Sequence, residues 1–237
     1  MTEIQTEIQT ETQTEIQTET QIAARLIDRM ISDGVLKFGE FTLKSGRVSP
    51  YFFNLGELSS GSSLTLLGEA YAQTIVELKV PVDVIFGPAY KGIPIAVATA
   101  CALASRGIDV GVAYNRKEAK THGEGGQFVG APVQGNVLIV DDVLTAGTAV
   151  REAIALIGQT DATVVGLVVA MDRQERLQNG SVQTALRTLE QELMISVTSI
   201  VNLQEVIDYL GHNGKPRVDG RSILDGMRAY QHQYCVL

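Results

Sequence analysis

Five runs rich in Val and Ile, at Val82 to Phe86, Val110 to Tyr114, Val137 to Val140, Thr163 to Met171 and Ile195 to Val201, alternate with segments of helical length. The helices are expected over about Ser62–Leu78, Ile93–Ser105, Thr148–Ile157, Val182–Glu192 and Leu203–Leu210. A strand that is apolar throughout has to be covered on both faces, so this alternation predicts an α/β fold: a parallel sheet flanked by helices. In such sheets ligands sit beyond the carboxyl ends of the strands, which is where chemistry is to be sought.

Ahead of the alternation, Ile22, Leu26, Ile27, Met30 and Ile31 share one side of an amphipathic helix that Gly34 would stop. Short β-type runs follow at Val35 to Phe38, Phe41 to Lys44 and Tyr51 to Asn54, broken by Gly39, Ser45-Gly46 and Pro50. They predict a small N-terminal antiparallel addition. Residues 1–21 are a different material. Thr2 to Thr20 repeat TEIQ or TETQ, a low-complexity stretch with little apolar surface beyond Ile4, Ile8 and Ile16. A solvated tail is expected, with a partner-binding helix as the other reading, and residues 22–237 are expected to form a single domain.

The net charge of −8 includes the five tail glutamates, so the body carries −3 and offers no basic stripe for nucleic acid. Cys101 and Cys235 form no C-x-x-C pair or Cys/His cluster, as suits a reduced cytoplasmic protein. The longest apolar stretch, Ile93 to Ala104, falls short of the ~20 residues of a spanning helix. The N-terminus has neither the basic nor the apolar region of a secretory signal. Export and membrane insertion are not expected.

Three strand ends carry chemistry. Val137 to Val140 runs into Asp141-Asp142, Val143-Leu144 and Thr145-Ala146-Gly147-Thr148-Ala149. Two carboxylates leaving a strand can accept hydrogen bonds from a sugar diol, and the small residues after them let backbone N–H groups wrap a phosphate at a helix start. Gly147 is expected to be needed because a Cβ would hold the backbone away from phosphate oxygens. The plainer reading is that Asp142 or Thr145 caps the helix. Val82 to Phe86 ends in Gly87-Pro88-Ala89-Tyr90-Lys91-Gly92, which by itself is a turn. Thr163 to Met171 ends in Asp172-Arg173-Gln174-Glu175-Arg176, of which Glu175 and Arg176 read adequately as an exposed charged turn.

The segment VLIVDDVLTAGTA resembles the phosphoribosyl pyrophosphate (PRPP) signature of the type I phosphoribosyltransferases. EFTLKSGR followed by SPYFFN resembles the orotate-specific subgroup of that family, and NRKEAKTHGEGG, Asn115 to Gly126, resembles its flexible catalytic loop. The match runs from about Ile22 to Tyr230. Only the repeated tail and the last few residues depart from it, and neither is expected to touch a site.

The resemblance implies the type I phosphoribosyltransferase fold and a pentosyltransferase of pyrimidine (UMP) synthesis. Its reaction would join orotate to the ribose 5-phosphate of PRPP, giving orotidine 5'-phosphate and pyrophosphate. It implies catalytic roles for Lys91, Lys120, His122, Asp141 and Asp142. PRPP would be held by Lys44, Tyr90, Lys91, Arg116, Lys117, Lys120, His122 and the run Asp141, Asp142, Val143, Leu144, Thr145, Ala146, Gly147, Thr148 and Ala149. Orotate would be held by Phe52, Phe53, Thr145 and Arg173. Magnesium would be bound mainly through PRPP and water rather than by protein ligands. The partners implied are the two small substrates and a second copy of the chain, in a homodimer with shared sites. On the residues alone, side-by-side aromatics are more often core, and the Asn115 to Gly126 stretch reads as a solvated loop. A phosphoribosyltransferase for another base and a non-catalytic PRPP-sensing regulator are the alternatives.

Overall fold

The computed structural model describes residues 21–43, 45–120, 126–144, 147–177, 183–213, 217–218 and 221–236, with backbone alone at 118–120, 217–218 and 221. Residues 21–32 form α1, which buries Leu26, Ile27 and Met30 and ends before Gly34, where φ is +71°. Strands β1 (Leu36–Thr42) and β2 (Val48–Phe53) pair antiparallel, Leu36 opposite Phe53, with a bulge between Phe38 and Phe41. This is the N-terminal addition expected from the short β-type runs.

The body then alternates as expected: α2 (Gly61–Leu78), β3 (Val84–Phe86), α3 (Gly92–Ala104), β4 (Gly111–Lys120), β5 (Gly126–Gly130), β6 (Asn136–Val143), α4 (Thr148–Ile157), β7 (Thr163–Asp172), α5 (Ala185–Leu193), β8 (Ser196–Asn202) and α6 (Leu203–His212). A short ribbon, β9 (Arg217–Val218) with β10 (Arg221–Ser222), precedes α7 (Ile223–Tyr234). Six strands form the central sheet in the order β5-β4-β3-β6-β7-β8. All neighbours are parallel except β5, which runs antiparallel to β4 at the edge.

The β6 and β7 sequences show why this sheet needs helices on both faces. Side chains alternate along a strand. Leu138 and Val140 of β6, with Val168 and Ala170 of β7, pack into the larger core beneath α1, α2, α3, α6 and α7. Val137 and Ile139, with Leu167 and Val169, pack against Val150, Ala153 and Ile157 of α4 and Leu186 and Leu189 of α5. Each strand therefore reads as a continuous apolar run, and its register is fixed by two cores instead of one.

The structure departs from the sequence reading at several elements, the edge strand β5 and the β9–β10 ribbon among them. Asn115 to Lys120, read as loop, continues β4, because Ala113, Tyr114 and Asn115 pair with Gly130, Val129 and Phe128 and Lys120 pairs with Gly126. Helix α5 begins at Ala185, where the Thr184 side chain accepts a hydrogen bond from the Arg187 N–H and sets the start. Helix α7 was not anticipated. Its cap Ser222 and the buried spacing Ile223, Leu224, Met227 and Tyr230 are the signals that mark it. No helix among the described residues is long and apolar enough to cross a membrane.

Candidate active site

The carboxyl end of β6 delivers two carboxylates. Asp142 is buried, and its Oδ2 lies 2.6 Å from Lys91 Nζ. Asp141 accepts the Asp142 N–H at 2.9 Å, and the Tyr71 hydroxyl of α2 donates to the Asp141 carbonyl at 2.7 Å, tying the strand end to the helix beneath it. Burial, and then the neighbouring charge of Asp142, push the Asp141 carboxyl up from 3.8 to about 6. Two acids are thus crowded together, with Lys91 directly engaged at Asp142.

Lys91 comes from the turn between β3 and α3, which taken alone reads as a Gly-Pro turn and to which the resemblance gives a PRPP-contacting role. Its two glycines approach closely: a Cβ on Gly87 would stand 2.1 Å from the Gly92 carbonyl oxygen, and one on Gly92 would stand 2.7 Å from the Gly87 carbonyl carbon. The Ala89–Tyr90 peptide bond is cis, and the Ala89 N–H donates to Asn115 Oδ1 at 2.9 Å. A cavity of about 330 Å³ opens between Pro88–Lys91 on one side and Asp141–Leu144 with Gly147–Val150 on the other.

Helix α4 starts at this cavity without a side-chain cap, and Asp142 meets Lys91 rather than the helix start. The capping explanation of Asp142 therefore fails, and among the described residues no side chain takes the first-turn N–H groups, which suits an anion; the capping reading of Thr145 lies outside the described residues. At Gly147 the backbone adds a reason of its own: φ is +71°, which favours glycine, while among the described protein atoms a Cβ would make only ordinary contacts with Leu144, Arg151 and Leu189 at 3.5 to 3.8 Å. Thr145 and Ala146 lie outside the described residues, as do Lys44, His122 and the side chain of Lys120.

Two cationic residues lie side by side on β4, one of them against the turn. Lys117 Nζ sits 5.0 Å above the exposed ring of Tyr90, a cation–π contact, and Arg116 Nε is buried without a hydrogen-bond partner among the described residues.

The hairpin lies beside this cavity: Asn54, next after β2, places Oδ1 3.5 Å from Lys91 Nζ. Of the two aromatics before it, Phe52 is 39% exposed and stacks obliquely on Phe41 at 5.6 Å, whereas Phe53 is in the core. Strand alternation sends neighbouring side chains to opposite faces, so a shared role beside one flat ring does not come from both side chains pointing at it.

Arg173, directly after β7, is mostly buried, with its guanidinium 4.8 Å from the Tyr51 ring. Its Nε donates to Glu175 Oε1 at 2.8 Å. Nη2 stands 2.5 Å from the same oxygen but without hydrogen-bond alignment, so the pair is anchored at Nε. Burial opposes the charge on Arg173, and Tyr51 and Glu175 more than offset it, so its pKa stands above the ordinary guanidinium value.

Glu175 is not the exposed turn residue expected. It also accepts from the Tyr230 hydroxyl at 2.7 Å and lies 3.5 Å from Arg47 Nη1. The last residues, expected to stay clear of any site, pack here as well. Arg176 N–H donates to the Tyr234 carbonyl at 2.8 Å, Val236 N–H to the Gln174 carbonyl at 2.9 Å, and Cys235 bridges Glu175. No sequence signal ties the C-terminus to this turn, since the contact is made by tertiary packing of α7.

Comparison with known proteins agrees with this geometry. A family model, the phosphoribosyl transferase domain, matches residues 57–196, more than half of the chain. The chain is 52% identical over 205 residues to the orotate phosphoribosyltransferase of Proteus mirabilis, covering 86% of this chain and 93% of that protein. It is 55% identical over 185 residues to that of Alteromonas mediterranea, covering 78% and 86%. The crystal structure of the Francisella tularensis orotate phosphoribosyltransferase matches at a TM-score of 0.76 and 38% identity, over 88% of this chain and 98% of that one. With its sheet, hairpin and strand-end carboxylates in place, the chain belongs to the orotate phosphoribosyltransferases, transferase enzymes of the type I phosphoribosyltransferase fold.

Proposed function

We propose that the chain transfers ribose 5-phosphate from PRPP to a ring nitrogen of orotate, releasing pyrophosphate, as a step of pyrimidine nucleotide synthesis. The observation that carries this reading is the meeting of two strand-end carboxylates, Lys91 and the start of α4 around one cavity, with a buried arginine directly after the next strand of the sheet. Asp141 and Asp142 hold the ribose hydroxyls. The backbone from Val143 to Ala149 takes a phosphate at the start of α4. Lys44, Tyr90, Lys91, Arg116, Lys117, Lys120 and His122 serve the pyrophosphate end. Phe52 borders the flat base with its exposed ring, Phe53 serves there only by anchoring that stretch of strand in the core, and Arg173, with Thr145, takes the carboxylate, which suits a planar guanidinium.

When the bond from the anomeric carbon to pyrophosphate breaks, positive charge grows on the sugar and negative charge on the leaving group. The carboxylates face the first and the cationic residues the second, so both are stabilised by groups already in position. Binding also rearranges one contact. Lys91 is held by Asp142 here, and a sugar hydroxyl arriving at Asp142 frees the ammonium for the departing pyrophosphate.

Magnesium fits this site. Among the described residues no three His, Cys, Asp or Glu side chains are grouped to hold a metal. The crowded Asp141–Asp142 pair, one member lifted toward protonation, favours a nearby cation. Magnesium prefers oxygen ligands and keeps several waters, so PRPP with one or two carboxylates suffices to hold it. When bound, it supplies charge neutralisation at the pyrophosphate oxygens. The active unit is a homodimer in which the Asn115 to Gly126 segment completes the partner's site.

The deciding assay follows loss of orotate absorbance with PRPP and magnesium, beside parallel assays of uracil, hypoxanthine and adenine. Turnover of orotate alone is expected. Turnover of another base instead would reassign the substrate, and no turnover of any would leave a PRPP-binding protein without this chemistry.

A further inference from the structure

We propose that Glu175 is a positioning residue for the base site: it fixes Arg173 by one edge of the guanidinium and leaves the other edge for the carboxylate of the base. This rests on the reading of Arg173 as the carboxylate-binding residue. A guanidinium offers two edges that match a carboxylate, Nε with Nη2 and Nη1 with Nη2. Glu175 engages the first, through the 2.8 Å bond from Nε. The second edge meets no further carboxylate among the described residues, and Nη2 is buried without an aligned partner.

The arrangement around Glu175 is itself braced. The Tyr230 hydroxyl donates to the same Oε1 at 2.7 Å, so this oxygen receives Arg173 from one side and α7 from the other. Tyr51 and Tyr230 meet edge to face at 5.9 Å, placing one aromatic against Arg173 and the other against Glu175. The backbone carrying both charged residues is pinned by Tyr234 and Val236, and the Cys235 thiol points at the Arg173 carbonyl at 3.5 Å. Burial raises the pKa of the Tyr230 hydroxyl, so it remains a donor.

Glu175 also serves Arg47, whose Nη1 lies 3.5 Å from its other carboxylate oxygen, so one carboxylate aligns two arginines. A long side chain held in place before binding also spends less ordering entropy on the ligand, so affinity for the base should depend on Glu175 although Glu175 itself does not touch it. A purely structural ion pair would leave the buried, unaligned Nη2 without explanation.

The test compares Arg173→Ala, Glu175→Ala, Glu175→Gln and Tyr230→Phe in the full chain, reading KM for orotate, KM for PRPP and melting temperature. Glu175→Ala should raise KM for orotate about tenfold while KM for PRPP stays within about twofold, a loss of the size that small misplacements of a binding group cause. Glu175→Gln keeps an acceptor oxygen and should fall between Glu175→Ala and wild type. Tyr230→Phe, which removes only the brace, should shift orotate by about two- to threefold. If Glu175→Ala does not fold, the Gln and Phe variants decide. An unchanged or lower KM for orotate in these variants, or equal rises for both substrates, overturns the proposal while Arg173→Ala still shows its selective loss. An Arg173→Ala enzyme with normal KM for orotate overturns the underlying reading and this proposal together.

Discussion

Asp141, Asp142 and the start of α4 reach the site from one stretch of chain, whereas Arg173 is held by residues from the hairpin, the turn after β7 and the last helix. The sugar-phosphate half is set by sheet geometry: once β6 lies between β3 and β7, its carboxyl end and the helix after it have one place to go. The base half is set by packing across the chain. Substitutions in the first half should therefore remove chemistry from a protein that still folds, and substitutions in the second should change affinity for one substrate, with some cost in stability.

The largest effect is expected in the first half. Asp142→Asn and Lys120→Ala should each lower turnover about 10²-fold or more in a folded protein, in line with loss of one transition-state donor. The same pair tests the shared site. Mixed under conditions that exchange subunits, they should recover about a quarter of wild-type activity, since random pairing makes about half the dimers mixed and each mixed dimer holds one sound site. Proven exchange with no recovery would mean that each loop serves its own chain.

The contrast also explains what could be read from the sequence. The alternation of apolar runs fixed the parallel sheet, and VLIVDDVLTAGTA placed the carboxylates, because both are local patterns with local causes. Glu175 was misread as an exposed turn residue because its partners, Arg47, Tyr230 and Arg173, come from three segments that packing alone brings together. Cys235 near the C-terminus was set aside for the same reason, although it is fully buried against this turn and its thiol is pushed up to about 12 by burial. Asn115 to Lys120 looked like loop because its run of charges, with glycines soon after it at 123, 125 and 126, masks a strand that only the pairing with β5 reveals.

A middle-sized effect is expected from pH. The Asp141 carboxyl stands at about 6 in the folded protein against an ordinary 3.8. The folded state therefore holds this proton more tightly than the unfolded chain, and the group costs stability as pH rises from about 4 through about 6, with no further change above. Asp141→Asn should then melt at a higher temperature than wild type at pH 7 and at nearly the same temperature at pH 4. Because the ionised form is the better acceptor for a sugar hydroxyl, kcat/KM for PRPP in the wild type should fall as pH drops through about 6. A Tm difference independent of pH would show that Asp141 ionises normally in the folded protein.

The smallest effect should come from the tail. Deleting residues 2–20 removes little apolar surface and no residue of either half, so Tm and turnover should stay close to wild type. A large fall in either would show that the tail packs on the body.

Reciprocal titration tests the division of the site most directly. Asp142→Asn and Arg173→Ala would each be titrated calorimetrically with PRPP and with orotate in the presence of magnesium, using the full chain. Asp142→Asn should weaken PRPP much more than orotate, and Arg173→Ala should weaken orotate about tenfold or more while leaving PRPP within about twofold. Equal losses for both ligands in both variants would contradict a site divided between a sugar-phosphate half and a base half.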